Sequence, residues 1–186
     1  MSTYQTKGII LKIADRGEAD QLFGIYTAKM GKISALGKGT KKIKSKLNSH
    51  LRQFAVINLM VATGKNYDHI AAAEIVKYFS WISNDLKKII YASFALELVE
   101  KMTKDGMADM QIYNLLNNYL AAINEHSYTD KQWLVIKRAF ITKFLTILGF
   151  APPANISNDS KKLENFFIIH LEKPLEIEKF LVKMHS

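Results

Sequence analysis

The chain has 186 residues, 48% of them apolar, a net charge of +9 and an isoelectric point near 9.5, which is length for one large domain or two small ones and apolar content enough for a buried core. It has no cysteine, which excludes disulfides and thiolate zinc sites, and no apolar run near the ~18 residues that span a bilayer. The opening MSTYQTKGIILK lacks the pattern of a signal peptide, so the expectation is a soluble protein of the cytoplasm.

In chain order, the first half has the grammar of strands. KGIILKI (7–13) is a short Ile-rich run, DQLFGIYT (20–27) is built from good strand formers, and GKISALGK (31–38) alternates Ile33, Ala35 and Gly37 with Lys32, Ser34 and Lys38. RQFAVINLMVA (52–62) predicts a longer strand and YDHIAAAEIVKYF (67–79) a fifth, with Gly17, Gly31 and TGKN (63–66) as turns. Five short strands predict a small closed barrel, since closure removes exposed edges.

Near residue 80 the period changes to 3.6. NDLKKIIYASFALELVEKMT (84–103) repeats Leu86, Ile90, Phe94 and Leu98 at four-residue steps, with Glu97–Lys101 and Glu100–Lys104 pairs on its other side. DMQIYNLLNNYLAAINE (109–125) predicts a second helix. A third spans about 130–148, opened by Thr129 and Gln132 in a capping-box pattern and closed by Gly149 before Pro152 and Pro153. Beyond the polar NISNDSKK, shorter helices are predicted over about 160–170 and over 174–184, the latter with Pro174 in its first turn. The expected architecture is an all-β barrel over 1–79 followed by an all-α domain over 80–186, α+β overall.

The charge is unevenly shared. Residues 1–79 hold 13 Lys and Arg against 5 Asp and Glu, whereas residues 80–186 hold 13 against 12. A field concentrated on the barrel points to a polyanionic partner. Little points to catalysis. His50, His69, His126, His170 and His185 lack metal-ligand spacing, and neither a phosphate-binding G-x-x-x-x-G-K-[ST] nor a G-x-S-x-G elbow occurs. Asp15, Glu18 and Asp20 in DRGEAD read as a turn, solvated or ion-paired to nearby lysines, rather than as a metal or acid–base site. The expectation is a non-enzyme without cofactors.

GKGTKKIKSK (37–46) carries five lysines and no acid, with Lys29 and Lys32 before it and Arg52 after it. It falls between the third and fourth predicted strands, where a long loop can overhang a barrel. Lysine is a flexible point charge that suits phosphate oxygens without reading bases, so contact with a polyanion is favoured over a passive loop. A membrane surface ranks lower, because residues 37–50 offer only Ile43 and Leu47 for insertion. No helix-turn-helix, zinc finger or guanine-reading arginine cluster is apparent. Single strands would add aromatic stacking; Tyr26, Phe54 and Tyr67 are candidates, though packing into the barrel suits each better.

TKGIILK, RGEADQLFGIYTAKMGK, ALGKGTKKIKSKL and AAAEIVKYF, in that order, resemble the N-terminal domain of the RecO family of bacterial recombination mediators. The family pattern is an opening Gly-Ile/Val-Leu strand, a Gly-Glu-x-Asp turn, a Phe/Tyr-Thr-x-x-x-Gly-Lys hairpin and a basic Lys-Gly segment. Gly8 to Leu11, Gly17-Glu18 with Asp20, Tyr26-Thr27 to Gly31-Lys32, and Lys38-Gly39 onward meet it. YASFALELVEKM and KRAFITKFLTILGFAPP continue the likeness more loosely, so that it covers most of residues 1–153. The resemblance implies an OB-fold barrel followed by a helical domain, working in the cytoplasm at the nucleoid. It implies binding of single- and double-stranded DNA, annealing of complementary strands and, with RecR, loading of RecA onto SSB-coated DNA. Lys38, Lys41, Lys42, Lys44 and Lys46, with Arg52 beside them, become DNA contacts by this route, and the helical domain becomes the receiver of the acidic, apolar-ended SSB tail. Two departures stand out. Many relatives carry a Cys-based zinc site where this chain has ANISNDSKK, so no zinc is expected, and the helical part is shorter than the family's. Lys137, Arg138 and Lys143 either meet the acidic tail or form an exposed basic helix face, and the exposed face is favoured. The rival reading is a basic OB-fold interaction module for RNA or an acidic protein.

Overall fold

A computed structural model of the chain describes residues 2–171 and 174–177. Five strands come first: β1 (Thr3–Arg16), β2 (Asp20–Thr27), β3 (Gly31–Gly37), β4 (Ala55–Ala62) and β5 (Asp68–Tyr78). They close into a barrel in the order β1-β2-β3-β5-β4, antiparallel except where β3 meets β5. Closure depends on β1, which pairs with β4 through Thr3–Ile9 and with β2 through Gly8–Arg16. Its register slips between Ile10 and Lys12, leaving Leu11 as an extra residue; a bulge of this kind bends and twists a strand, here enough to serve two neighbours. Ile10, Phe23, Ile25, Ile33, Ala35, Ile57, Leu59, Val61 and Ile70 fill the interior, and Leu51, from the long connection after β3, joins them.

The strand ends differ from the predicted ones for identifiable reasons. β1 begins four residues before the predicted apolar run because Thr3–Thr6 pair with β4 although they carry no apolar pattern. β4 begins only at Ala55, since Phe54 stands in the left-handed region at φ 57°. The β2–β3 turn is closed by Thr27, whose hydroxyl donates to the Gly31 carbonyl at 2.9 Å and accepts the Met30 N–H at 3.0 Å. Gly31 has φ +67°, and a Cβ there would lie 2.2 Å from the Met107 carbonyl oxygen, so only glycine fits.

Helices follow: α1 (Leu86–Met102), α2 (Met110–Glu125), α3 (Asp130–Ile147), α4 (Ala154–Ser157) and α5 (Ser160–Ile169). The signals at the ends of α3 are realised. Gln132 Oε1 accepts the Thr129 N–H at 2.8 Å. At the far end the Gly149 N–H donates to Thr146 O and the Phe150 N–H to Leu145 O, with Gly149 at φ +85°, which is the Schellman pattern. α4 lies where the sequence suggested only a linker; the Pro153 carbonyl accepts the N–H groups of Ile156 and Ser157 and nucleates one turn. Asp159 then caps α5 through the N–H groups of Lys161 and Lys162. Most of the helix predicted over 174–184 lies outside the described residues, and the part that is described, 174–177, is not helical. Aromatic pairs mark the helical core: Tyr91 stacks on Trp133 at 4.5 Å and Phe94 meets Phe167 edge-on at 6.4 Å. No described helix is long and apolar enough to cross a membrane.

The chain divides into two compact units. The first takes the strands together with Thr103–Tyr113, and the second takes residues 81–102 and the chain from Asn114 on. The sequence grouped 103–113 with the helices. Two contacts tie it to the barrel: the Gly106 N–H donates to the Lys32 carbonyl at 2.9 Å, and the Tyr26 hydroxyl lies 3.3 Å from Asp109 O.

Candidate nucleic-acid interface

The lysine segment opens the connection from β3 to β4, residues 38–54. Successive turns order it, with the Lys42 N–H on Gly39 O at 3.1 Å, the Ser45 N–H on Lys42 O at 2.9 Å and the Leu51 N–H on Leu47 O at 3.0 Å. Its base is fastened to the β1–β2 turn. Asp20 Oδ1 accepts the Gly39 N–H at 2.7 Å, the Lys41 N–H donates to Ala19 O at 3.0 Å, and Lys41 Nζ reaches Asp15 Oδ2 at 2.8 Å. Asp15 and Asp20 of DRGEAD therefore anchor the lysine loop. The hydrogen bond from Lys41, and then that from Gln21, hold the Asp15 carboxyl below the usual carboxylate range.

Lys38, Lys41, Lys42, Lys44, Lys46 and Arg52 are all exposed. The structure gathers the five lysines on one loop but does not make the six residues equivalent. Asp15 compensates Lys41, whereas Lys38, Lys42, Lys44 and Lys46 have no acidic partner among the described residues. Arg52 stands at the far end of the loop, its guanidinium 5.8 Å from the centre of the Tyr78 ring. Ile43 at the tip is fully exposed, while Leu47 packs against the core. The loop thus presents one apolar side chain among cations, a poor match to a membrane-inserting face.

A second group of residues adjoins this one. Arg16, at the end of β1, lies 4.8 Å over the ring of Tyr67, so the end of β1 meets the β4–β5 loop. The β4–β5 loop is braced by Asp68, which accepts the Tyr4 hydroxyl at 3.0 Å and the Gly64 N–H at 3.4 Å. Burial first, and then Asp68, push the Tyr4 hydroxyl up to about 12. The outer positions of β1, β2 and β3 beside these loops are Lys12 and Ala14, Leu22 and Gly24, and Ser34 and Leu36, in register. The sequence reading missed Arg16 and Lys12. The signal was there in the two-residue spacing Lys12-Ala14-Arg16, which puts them on one strand face once Ile13 points inward. Tyr26 and Phe54 are buried in the barrel unit, and of the three aromatic candidates only Tyr67 remains half-exposed.

In the helical unit the favoured exposed face is corrected. Lys137 is 6% exposed, pairs with Glu164 at 2.7 Å and lies 4.8 Å over the Phe94 ring. Arg138 is half-buried and donates to Asn158 O at 2.9 Å, leaving Lys143 as the exposed member. The long aliphatic stem of lysine packs well at a helix interface when a carboxylate meets its end, which composition does not reveal. Among the described residues no three His, Asp or Glu side chains gather as metal ligands would.

A five-stranded barrel in this order, with the end of β1 meeting the β4–β5 loop, is an OB-fold, a class that holds oligonucleotides or oligosaccharides on the outer face of β2 and β3 and on the β1–β2 and β4–β5 loops. Residues 1–79 match the family model for the N-terminal part of recombination protein O, and residues 83–166 match the model for its C-terminal part. The chain is 30% identical over 173 residues to the DNA repair protein RecO of Clostridium kluyveri, covering 92% of this chain and 66% of that protein. It is 30% identical over 148 residues to that of Alkaliphilus metalliredigens, covering 80% and 59%. With that of Gloeothece citriformis it shares 33% over 150 residues, covering 81% and 53%. The chain belongs to the RecO family. It spans between 53% and 66% of the length of these three relatives.

Proposed function

We propose that the chain is a DNA-repair and recombination mediator that binds single- and double-stranded DNA and anneals complementary strands without a catalytic step. With RecR, it helps to load RecA onto SSB-coated DNA at the nucleoid, and the acidic SSB tail is the partner of its helical part. The observation that carries this reading is the lysine loop, with four exposed, uncompensated lysines on a connection docked to an OB barrel. Two strands approach each other against the repulsion of their phosphates. Lysines that neutralise those phosphates lower the barrier to pairing and release counterions as they do so. Neither step needs a nucleotide or a nucleophile. Arg16 and Tyr67 support the reading by adding a cation and a ring face beside the loop, the pairing that sequence-tolerant single-strand binders use.

The test is annealing of two complementary oligonucleotides, each precoated with SSB, by wild type and by a variant with Lys41, Lys42, Lys44 and Lys46 changed to Ala. Acceleration by wild type that the variant loses is expected. No acceleration by either protein would overturn the annealing function and favour a basic module that docks on RNA or an acidic protein. Acceleration by both would keep the mediator and remove the loop from its mechanism.

A further inference from the structure

Away from the lysine loop, the barrel unit carries a cleft of about 510 Å³ on the outer face of β1, β4 and β5. The strand register lays out its floor. Lys7 pairs with Asn58, which pairs with Glu74; in the next row Gln5 pairs with Met60, which pairs with Ala72. Ala72, the smallest of these side chains, makes the depression. Lys29 from the β2–β3 turn and Met110 complete the wall. The Ala28 N–H donates to Lys7 O at 2.9 Å, which holds the turn carrying Lys29 against the strand carrying Lys7. The side chains of Gln5, Lys7, Lys29, Asn58 and Glu74 make no hydrogen bond or ion pair with any described residue. A concave site lined by several polar groups without partners, with apolar Met60 at its floor, has the make-up of a ligand site.

The charge order across the cleft identifies the ligand. Both lysines stand at one side, and Glu74 stands two strands away, about 10 Å across the sheet at ~4.8 Å per strand. That is the reach of one nucleotide from its phosphate to the far edge of its base. Phosphate is drawn to Lys7 and Lys29 and repelled by Glu74. At the far edge the Glu74 carboxylate accepts an N–H donor, and the Asn58 and Gln5 amides add donors and acceptors. Glutamate accepting from the exocyclic amine of cytosine is a favourable base contact, whereas thymine offers only its ring N3–H, flanked by two carbonyl oxygens that a carboxylate repels. Met60 and Met110 supply polarisable apolar surface for the base. Lys7 and Asp15, the anchor of the lysine loop, are eight residues apart on β1, about 26 Å along an extended strand.

We infer that this cleft is a second nucleic-acid site, which holds one nucleotide of a strand other than the strand on the lysine loop and prefers a base with an exocyclic amine. The inference rests on the proposed nucleic-acid function and extends it: two sites on one barrel let a single chain hold two strands at once.

The experiment uses the full chain with the loop lysines changed to Ala, so that binding at the cleft is read alone. Fluorescence anisotropy at neutral pH and low salt compares short oligo-dC with oligo-dT. The loop variant is expected to keep measurable binding, about five-fold tighter for dC than for dT, the size of one base contact at an exposed site. Adding Lys7→Ala and Lys29→Ala should weaken that binding at least about ten-fold through the loss of two phosphate contacts. Adding Glu74→Gln instead should erase the preference for dC. Lys7 and Glu74 on strand surfaces and Lys29 on a turn are exposed and tolerate these changes, and an unaltered thermal midpoint confirms it. Complete loss of binding in the loop variant, residual binding indifferent to Lys7 and Lys29, or equal affinity for dC and dT would each overturn the inference. The first of these outcomes leaves the lysine-loop function standing, whereas a wild type that binds no strand at all brings down both.

Discussion

Replacing Lys38, Lys42, Lys44 and Lys46 with Ala should flatten the salt dependence of single-strand binding while leaving the fold intact. These four side chains are exposed and have no acidic partner among the described residues, so each is free to displace a counterion from a phosphate. Each such contact on a single strand contributes about −0.7 to the slope of log affinity against log salt, so the four contribute about −2.8. Between 50 and 200 mM salt, that share amounts to roughly a 50-fold loss of affinity, which wild type should show and the variant should not. Lys41 behaves differently because the Asp15 carboxylate already sits 2.8 Å from its ammonium. Lys41→Ala should therefore alter the slope by less than one lysine's share. Asp15→Asn should steepen it by up to about 0.7, since it frees that charge while the Gly39–Asp20 bond keeps the loop docked. Anisotropy titrations of a labelled oligonucleotide over a potassium chloride series measure all of these slopes, with near-UV circular dichroism as the check on folding. A quadruple variant whose slope stays within about 0.5 of wild type would refute the assignment of phosphate contacts to this loop. A flatter slope for Asp15→Asn would refute the compensation of Lys41.

Three further outcomes follow from the packing. Gly31→Ala forces a Cβ to within 2.2 Å of the Met107 carbonyl at positive φ, so it should cost at least about 2 kcal/mol in urea unfolding and speed hydrogen exchange at Gly106. Lys137→Ala removes a buried cation from Glu164 and Phe94 and should cost about 1–3 kcal/mol, less than a wholly buried pair because Glu164 is partly exposed. Lys137→Met should recover most of that loss through packing, and neither variant should change oligonucleotide affinity; a ten-fold weakening by Lys137→Met would give Lys137 a ligand role after all. Burial opposes ionisation of Glu97, but the backbone N–H of Glu176, the Lys101 ammonium and the backbone N–H of Ile177 outweigh it, so its pKa lies below the usual range. A lowered carboxyl pKa stabilises the folded state fully above the ordinary value and loses that contribution as pH falls through the lowered one. Protection of the Glu176 and Ile177 amides from exchange should therefore fade in acid, and Glu97→Gln should lose the pH dependence; equal fading in the variant would contradict the assignment.

Much of the fold is legible in the sequence because local rules and tertiary demands agree in it. Ile33 and Ala35 alternate with Lys32 and Ser34 since β3 has one wet face and one dry one. Gly149 after α3 announces a left-handed residue and is one. The start of β1 is hidden because Thr3–Thr6 owe their strand conformation to pairing with β4, more than 50 residues away in the chain. The attachment of 103–113 to the barrel has no periodic signature in the sequence, because it runs through the backbone bond from Gly106 to Lys32 and through the space that Gly31 leaves open.

The candidate site divides along the same line. The sequence by itself determined that the barrel half would be basic, that the charge would crowd into residues 37–46, and that a two-state grammar of strands and then helices would separate near residue 80, since composition and period are local properties. Only the tertiary structure decided which lysines are uncompensated, that Asp15 and Asp20 anchor the loop, that Arg16 meets Tyr67, and that Lys137 is held inside its unit. A charge acts on whatever lies within a few ångströms of it, and which groups lie there is set by barrel closure and helix packing, which join residues far apart in the chain.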